Sequence, residues 1–288
     1  MSTRKREVVV GVDGSETSTA AALWAAGEAH ARDATLIVLY SFELYAYGSK
    51  DAALPGSIAY EQAQLAAAEL VDEVIEKIEH THLGLPVEPR ILHESAGTAL
   101  LEASGEALLT VVSSQGHSPR TEELIGSFAV HTAEHGRGPV AVVRAAAATP
   151  AGPAGPVVVG TDGSAVSLDA IEYAFAAARA HRVPLHVVRC VTGSGEDVTG
   201  SGDDRAELDA VLADRRQHFA DVEAIPAVVP GKPQEALPGY AAQQGASQLV
   251  VGARGVSGFA GIVLGSVSRS LLANSQIPVV VVRPEDAS

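Results

Sequence analysis

Cysteine is almost missing from this 288-residue chain: Cys190 stands alone, so no internal disulfide can form, and a reducing, cytoplasmic setting is expected. Aromatic residues make up only 4%, which implies an aliphatic core and offers no platform for stacking nucleic-acid bases. Positive charge is also short. Twenty Lys plus Arg face 35 Asp plus Glu, a net charge of −15, so neither a nucleic acid nor an anionic membrane is expected as a partner. No apolar run approaches the ~20 residues that a membrane helix needs. The apolar stretch behind the charged Ser2 to Glu7 is too short for the core of a signal peptide. Two phosphate motifs are absent as well. There is no G-x-x-x-x-G-K-[ST], since Gly231-Lys232 runs into Pro233, and no G-x-G-x-x-G follows a strand, which argues against P-loop NTPases and dinucleotide enzymes.

What is present is repetition. Val8-Val9-Val10-Gly11-Val12-Asp13-Gly14-Ser15 returns as Val157-Val158-Val159-Gly160-Thr161-Asp162-Gly163-Ser164, identical at seven of eight positions, and Pro139 to Arg144 returns as Pro278 to Arg283. The chain reads as a tandem duplication: a first domain over 1–144, an Ala/Pro/Gly linker over 145–156 and a second domain over 157–288. In the first half the patterns predict strands at Val8–Val10, Thr35–Phe42, Pro86–His93, Leu108–Ser113 and Val140–Arg144. Helices are predicted at Ala20–Ala31, Ile58–His80, Ala99–Glu106 and Phe128–His135. The second half repeats this, with helices at Leu168–His181, Asp204–Ala220 and Glu235–Gln244, the last weakened by Pro238 and Gly239. Alternation of this kind means βαβ crossovers and a parallel sheet covered on both faces, with ligands at the carboxyl ends of the strands. The fold class expected is α/β, two tandem doubly wound five-stranded parallel sheets.

The most informative stretch is Leu249-Val250-Val251-Gly252-Ala253-Arg254-Gly255, followed after nine residues by Gly265-Ser266-Val267-Ser268-Arg269. It reads as a buried strand, a glycine loop and a helix start. Glycines let the backbone turn sharply and let a ligand approach bare N–H groups. The first amides of the helix lack internal partners and lie at the positive end of its dipole, where phosphate binds. Gly252 and Gly255 would sit under one part of a polyphosphate and Ser266 at another. Arg254 is placed to reach a terminal phosphate, Arg269 is a second candidate, and the Ser266 and Ser268 hydroxyls are further donors. Asp162 reaches the same sheet edge, where it either meets an adenosine group or Mg²⁺, or simply forms an Asx-turn, as does Asp13.

In these residues the chain resembles the universal stress protein family in its two-domain form, over nearly its whole length. The resemblance implies an adenine nucleotide alpha hydrolase-like fold and the ATP-binding pattern G-x-x-G-x9-G-[ST], which Gly252, Gly255, Gly265 and Ser266 fill. It further implies that Asp162, beside Thr161, and the region of Cys190 flank the adenosine, while Val251, Arg254, Val267 and Ser268 line the loop. The corresponding positions in the first half are Val12, Asp13, Ser113, Gly116, Gly126 and Ser127, but the pattern is degraded there. Ser113 replaces a glycine, with a β-carbon expected to narrow the ligand's approach. Gln115 stands where Arg254 does and Ala129 where Ser268 does, so weaker binding is expected in the first half.

Other constellations are thinner. His131 and His135 share a helix face without further zinc ligands, and Ser113-Ser114 with His117 lacks an acid to complete a hydrolase triad. Cys190 reads as a core residue rather than a redox centre. ATP, with Mg²⁺ as a candidate companion, is the expected ligand, and a nucleotide-dependent stress or signalling regulator with slow or no hydrolysis the expected function. The alternative is an ATP-cleaving or adenylyl-transferring enzyme on the same scaffold. A protein partner of unknown identity is expected downstream. By resemblance the last strands pair the two halves, and a homodimer is also expected.

Overall fold

The computed structural model of the chain describes residues 5–43, 56–116, 126–144, 155–192, 202–255 and 264–284. The first half runs β1 (Glu7–Gly11), α1 (Glu16–Ala31), β2 (Thr35–Ser41), α2 (Ile58–Thr81), β3 (Val87–Leu92), α3 (Ala96–Glu106), β4 (Leu109–Ser113), α4 (Ser127–His135) and β5 (Val140–Val143). The second runs β6 (Val157–Thr161), α5 (Ala165–His181), β7 (Leu185–Val191), α6 (Gly202–His218), β8 (Ala224–Pro230), α7 (Pro233–Gln243), β9 (Gln248–Gly252), α8 (Ser266–Asn274) and β10 (Val279–Val282). Most of the expected linker, and His117, lie outside the described residues.

Short valine-rich strands such as Val8–Val10 place successive side chains on opposite faces, and both faces are covered, so each strand is apolar throughout. Val8 and Val10 pack in one core layer with α1 and α5, and Val9 in the other with α3 and α7. Within each half the strands are parallel, in the order 3-2-1-4-5. The halves then join: β5 and β10 pair antiparallel, Val280 opposite Ala141 with Val279 opposite Val142, making one ten-stranded sheet. Both layers of the core are therefore continuous across the seam. The two strands expected to seek partners find each other, which leaves neither as a free edge for a second copy of the chain.

Three helices start earlier than their apolar periodicity indicates, because a serine precedes each. The hydroxyls of Ser15, Ser95 and Ser164 accept from the N–H groups of Ser18, Thr98 and Ser167, so α1 begins at Glu16, α3 at Ala96 and α5 at Ala165. The caps satisfy donors that the polar first turns would otherwise leave bare. Helix α7 persists through Pro238, which lies one turn beyond Pro233 and forgoes only a bond near the helix start.

Beneath α1 and α5 a polar cluster ties the halves together. The carboxylate of Glu28, fully buried, accepts from Arg32 one turn along, from His181 Nε2 (2.9 Å) and from Gln248 Nε2 (3.1 Å); Arg32 also donates to the Tyr173 hydroxyl (3.0 Å). Burial alone would push the Glu28 carboxyl up, but Arg32 and the His181 hydrogen bond outweigh it and hold the group below the ordinary carboxylate range. Removing the carboxylate strands a buried guanidinium. Glu28→Ala is expected to lower the free energy of unfolding at neutral pH by about 3–5 kcal/mol in urea titrations. Because the folded-state carboxyl is depressed, its stabilisation is complete above the unfolded carboxylate range and is lost as the pH falls through the folded value. The gap between wild type and variant should accordingly close only in acid; a gap that is constant with pH contradicts the assignment.

Candidate functional site

The site is built where β6, β7 and β9 end. After Gly252 the Ala253 N–H donates to the Val282 carbonyl (2.7 Å), and when the chain returns, the Gly265 N–H donates to the Ala253 carbonyl (2.7 Å). That crossing sets the start of α8 directly above the end of β9. The cap of α8 is Gly265, so no cap side chain covers its first amides, unlike those of the serine-capped α1, α2, α3 and α5. Ser266 is the first residue of the helix rather than its cap.

A cavity of about 360 Å³ opens against this helix start. All eleven residues expected from the second half line it: Thr161, Asp162, Cys190, Val251, Gly252, Arg254, Gly255, Gly265, Ser266, Val267 and Ser268. Its apolar wall adds Val188 and Leu237, with Pro233, Gly160 and Ser167 completing the lining. Val188 could have been found from sequence, since it lies two residues before Cys190 on the same face of β7. Leu237 was hidden, because its place depends on Gly160: a β-carbon there would come within 2.7 Å of the Leu237 side chain.

At the end of β6, one oxygen of Asp162 accepts from the Ser164 N–H (3.0 Å), forming the Asx-turn, with Gly163 at φ 80°. The other oxygen faces the loop, where a β-carbon on Gly255 would approach it to 2.4 Å. Gly255 thus makes room for a carboxylate as well as a bare amide. The Cys190 thiol is pushed up to about 11 by burial, which keeps it neutral on the cavity wall. It is half-buried rather than a full core residue.

Two expectations are corrected. The Ser268 hydroxyl donates to the Gly252 carbonyl (2.7 Å), anchoring α8 to β9, so its proton is committed and does not point to a ligand. Arg269 pairs with Glu134 on α4 of the other half (2.5 Å), away from the loop. The missing side chain at Gly252, which lines the cavity, also serves packing: a β-carbon would meet Val166 on α5 at 3.1 Å and the Arg254 carbonyl at 3.2 Å.

The first half keeps the same backbone without the same chemistry. Gly126 N–H donates to the Ser114 carbonyl (2.7 Å), and α4 opens on an uncapped glycine; the Ser127 side chain lies outside the described residues. The Ser113 hydroxyl does not obstruct the loop but donates into it, to the Gln115 carbonyl (2.6 Å), which Thr17 also engages (2.9 Å). Asp13 accepts from the Ser15 N–H (3.0 Å) and hydroxyl (2.6 Å), close beside the buried Val12 and facing Gly116, whose β-carbon would approach to 2.8 Å. A second cavity, about 620 Å³, opens on the α1–α2 side of Asp13 and is walled by Glu69, Glu73 and Lys77, a lining that does not favour phosphate. The His131 and His135 rings lie with centroids 4.4 Å apart, tilted by 32°, and among the described residues no group of three or more His, Cys, Asp or Glu is arranged to hold a metal ion. Among those residues no helix is long and apolar enough to cross a membrane.

The two loop glycines give a graded test. Gly255→Ala, with the closer clash, should cost about 1–3 kcal/mol of stability in denaturant titrations, and Gly116→Ala less, by the usual scale of overpacking; equal or reversed losses would contradict the Asp162 and Asp13 geometry.

Comparison with known proteins follows this architecture. A sequence model of the universal stress protein family matches residues 5–144 and again 154–283. A universal stress protein of Mycolicibacterium smegmatis is 31% identical over 298 residues, covering 96% of this chain and 97% of the relative. One of Mycobacterium tuberculosis is 36% identical over 240 residues, 81% of each chain. Among solved structures, a universal stress protein of Archaeoglobus fulgidus shares the fold with a TM-score of 0.70 at 20% identity, covering 99% of this chain and 98% of that one.

Proposed function

Because the chain belongs to the universal stress protein family, we propose that it is a regulator whose state depends on an adenine nucleotide, ATP, held in the second half. The observation that carries the reading is the uncapped start of α8 over a cavity whose lining includes Arg254. Phosphates would rest on the amides of Ser266, Val267 and Ser268, with Arg254 on the terminal group and the adenosine against Val188, Leu237 and Cys190. Such amides hold anions even in an acidic protein, because the attraction is local and needs no excess of cations. Mg²⁺ bridging the phosphates to Asp162 would relieve the repulsion between them.

The same lining argues for slow turnover. Among the described residues its titratable side chains are Asp162, Cys190 and Arg254; the first is tied into a turn, the second is a neutral thiol and the third is a cation. None is set up as a general base. In this reading the chain has two domains, 1–144 and 157–288, joined by the linker at 145–156, works in the cytoplasm and transmits nucleotide occupancy to a protein partner. The first domain, with Gln115 for the cation, binds nucleotide more weakly. A homodimer would have to use surfaces other than the seam strands.

Calorimetry of the full chain with ATP and Mg²⁺ tests this. Saturable binding is expected, with Arg254→Ala weakening it about tenfold, the scale of a charge-assisted hydrogen bond. Absence of binding, or an unchanged affinity in the variant, overturns the proposal; rapid multiple turnover would favour the enzyme alternative.

A further inference from the structure

The α8 helix is only nine residues, about 13 Å at 1.5 Å per residue, and it carries no basic residue in its own last turn. Its C-terminal carbonyls are nonetheless covered by a cation, which comes from the other half. Arg144, the residue after β5, donates from Nη2 to the carbonyls of Leu272 (3.4 Å) and Ala273. Glu134, on α4, takes the exposed Arg269 of the same helix (2.5 Å). The seam is reciprocal in one respect only: Arg283, after β10, donates to the carbonyls of Ala133 (3.1 Å) and Glu134 at the end of α4. The Arg269–Glu134 pair has no mirror image, since α4 carries Val130 at the position of Arg269.

We propose that the first half is a clamp on the phosphate-binding helix of the second, with Arg144 a positioning residue for the nucleotide site although it does not line the cavity. The proposal rests on the reading of the α8 start as the phosphate site. A cation on the last carbonyls of a short helix complements its dipole locally, and by holding those carbonyls it fixes the helix axis, which sets the direction of the amides at the other end. Their aim then depends on Arg144, and Ser268 pins the same helix to Gly252 from within the second half.

The experiment compares two matched lesions of the seam in the full chain, Arg144→Gln and Arg283→Gln, each titrated with ATP plus Mg²⁺ and with adenosine, which lacks phosphates. Arg144→Gln is expected to weaken ATP about fivefold, within the range of helix-end and charge-assisted interactions, and to leave adenosine unchanged. Arg283→Gln removes the same kind of contact from α4 and should leave the tighter, second-half ATP affinity intact. An unchanged ATP affinity in Arg144→Gln overturns the clamp alone, as does an equal loss in Arg283→Gln or a parallel loss of adenosine, which would mark general damage. Failure of the wild type to bind ATP would instead remove the phosphate site on which the clamp depends. Should Arg144→Gln not fold, Arg144→Lys, which keeps the charge but loses the planar fork, carries the same comparison at smaller size.

Discussion

One backbone hydrogen bond, from the Gly265 N–H to the Ala253 carbonyl, fixes the relation on which the site depends. It closes the loop between β9 and α8 and holds an uncapped helix start over the ends of three strands. A β-carbon on Gly265 would lie 3.4 Å from the Ala253 carbonyl, an ordinary contact on extended backbone, so what glycine omits at this cap is a hydrogen-bonding side chain. The starts of α1, α2, α3 and α5 are closed by serine hydroxyls, whereas α8, like α4, opens on a glycine without a side-chain cap, and a cavity lies against it. The same bond recurs at Gly126 and Ser114, so both halves keep the frame, and they differ in what is mounted on it.

That difference accounts for two similar halves with unequal sites. In the second, Gly252 packs close to Val166 and its carbonyl accepts from Ser268, and Arg254 lines the cavity. In the first, Ser113 and Thr17 tether the Gln115 carbonyl, and Gln115 stands at the position of Arg254. The halves are far from independent. They share a sheet through β5 and β10, a buried charge cluster around Glu28, and reciprocal arginines on each other's helix ends. A duplicated domain has used its own copy to cover the strand edge that would otherwise be exposed.

Much of this was legible in the sequence. The repeat, the strands and the parallel class follow from valine runs and periodicity, and the loop glycines, Arg254 and Ser266 from their spacing at a strand end; Cys190, Val251 and Val267 are implied only by the resemblance to the universal stress protein family. The roles within that set were less legible. Ser268 and Arg269 look like phosphate donors by proximity in sequence, but one bonds Gly252 and the other Glu134, partners 16 and 135 residues away. Gly252 looks like an opening for a ligand and is a contact with α5 as well. Serine caps moved three helix starts, a local effect that apolar periodicity does not register. Of the Glu28 cluster only the i,i+4 pair with Arg32 is local; Tyr173, His181 and Gln248 join it once the halves have met.

The most direct measurement is a crystal structure of the full chain with ATP and Mg²⁺. Phosphate oxygens within hydrogen-bond distance of the Ser266, Val267 and Ser268 amides, with the base against Val188 and Leu237, are the expected result. Nucleotide bound elsewhere, or in the reverse orientation with the base over the start of α8, would contradict the central claim that an uncapped helix end makes this a phosphate site.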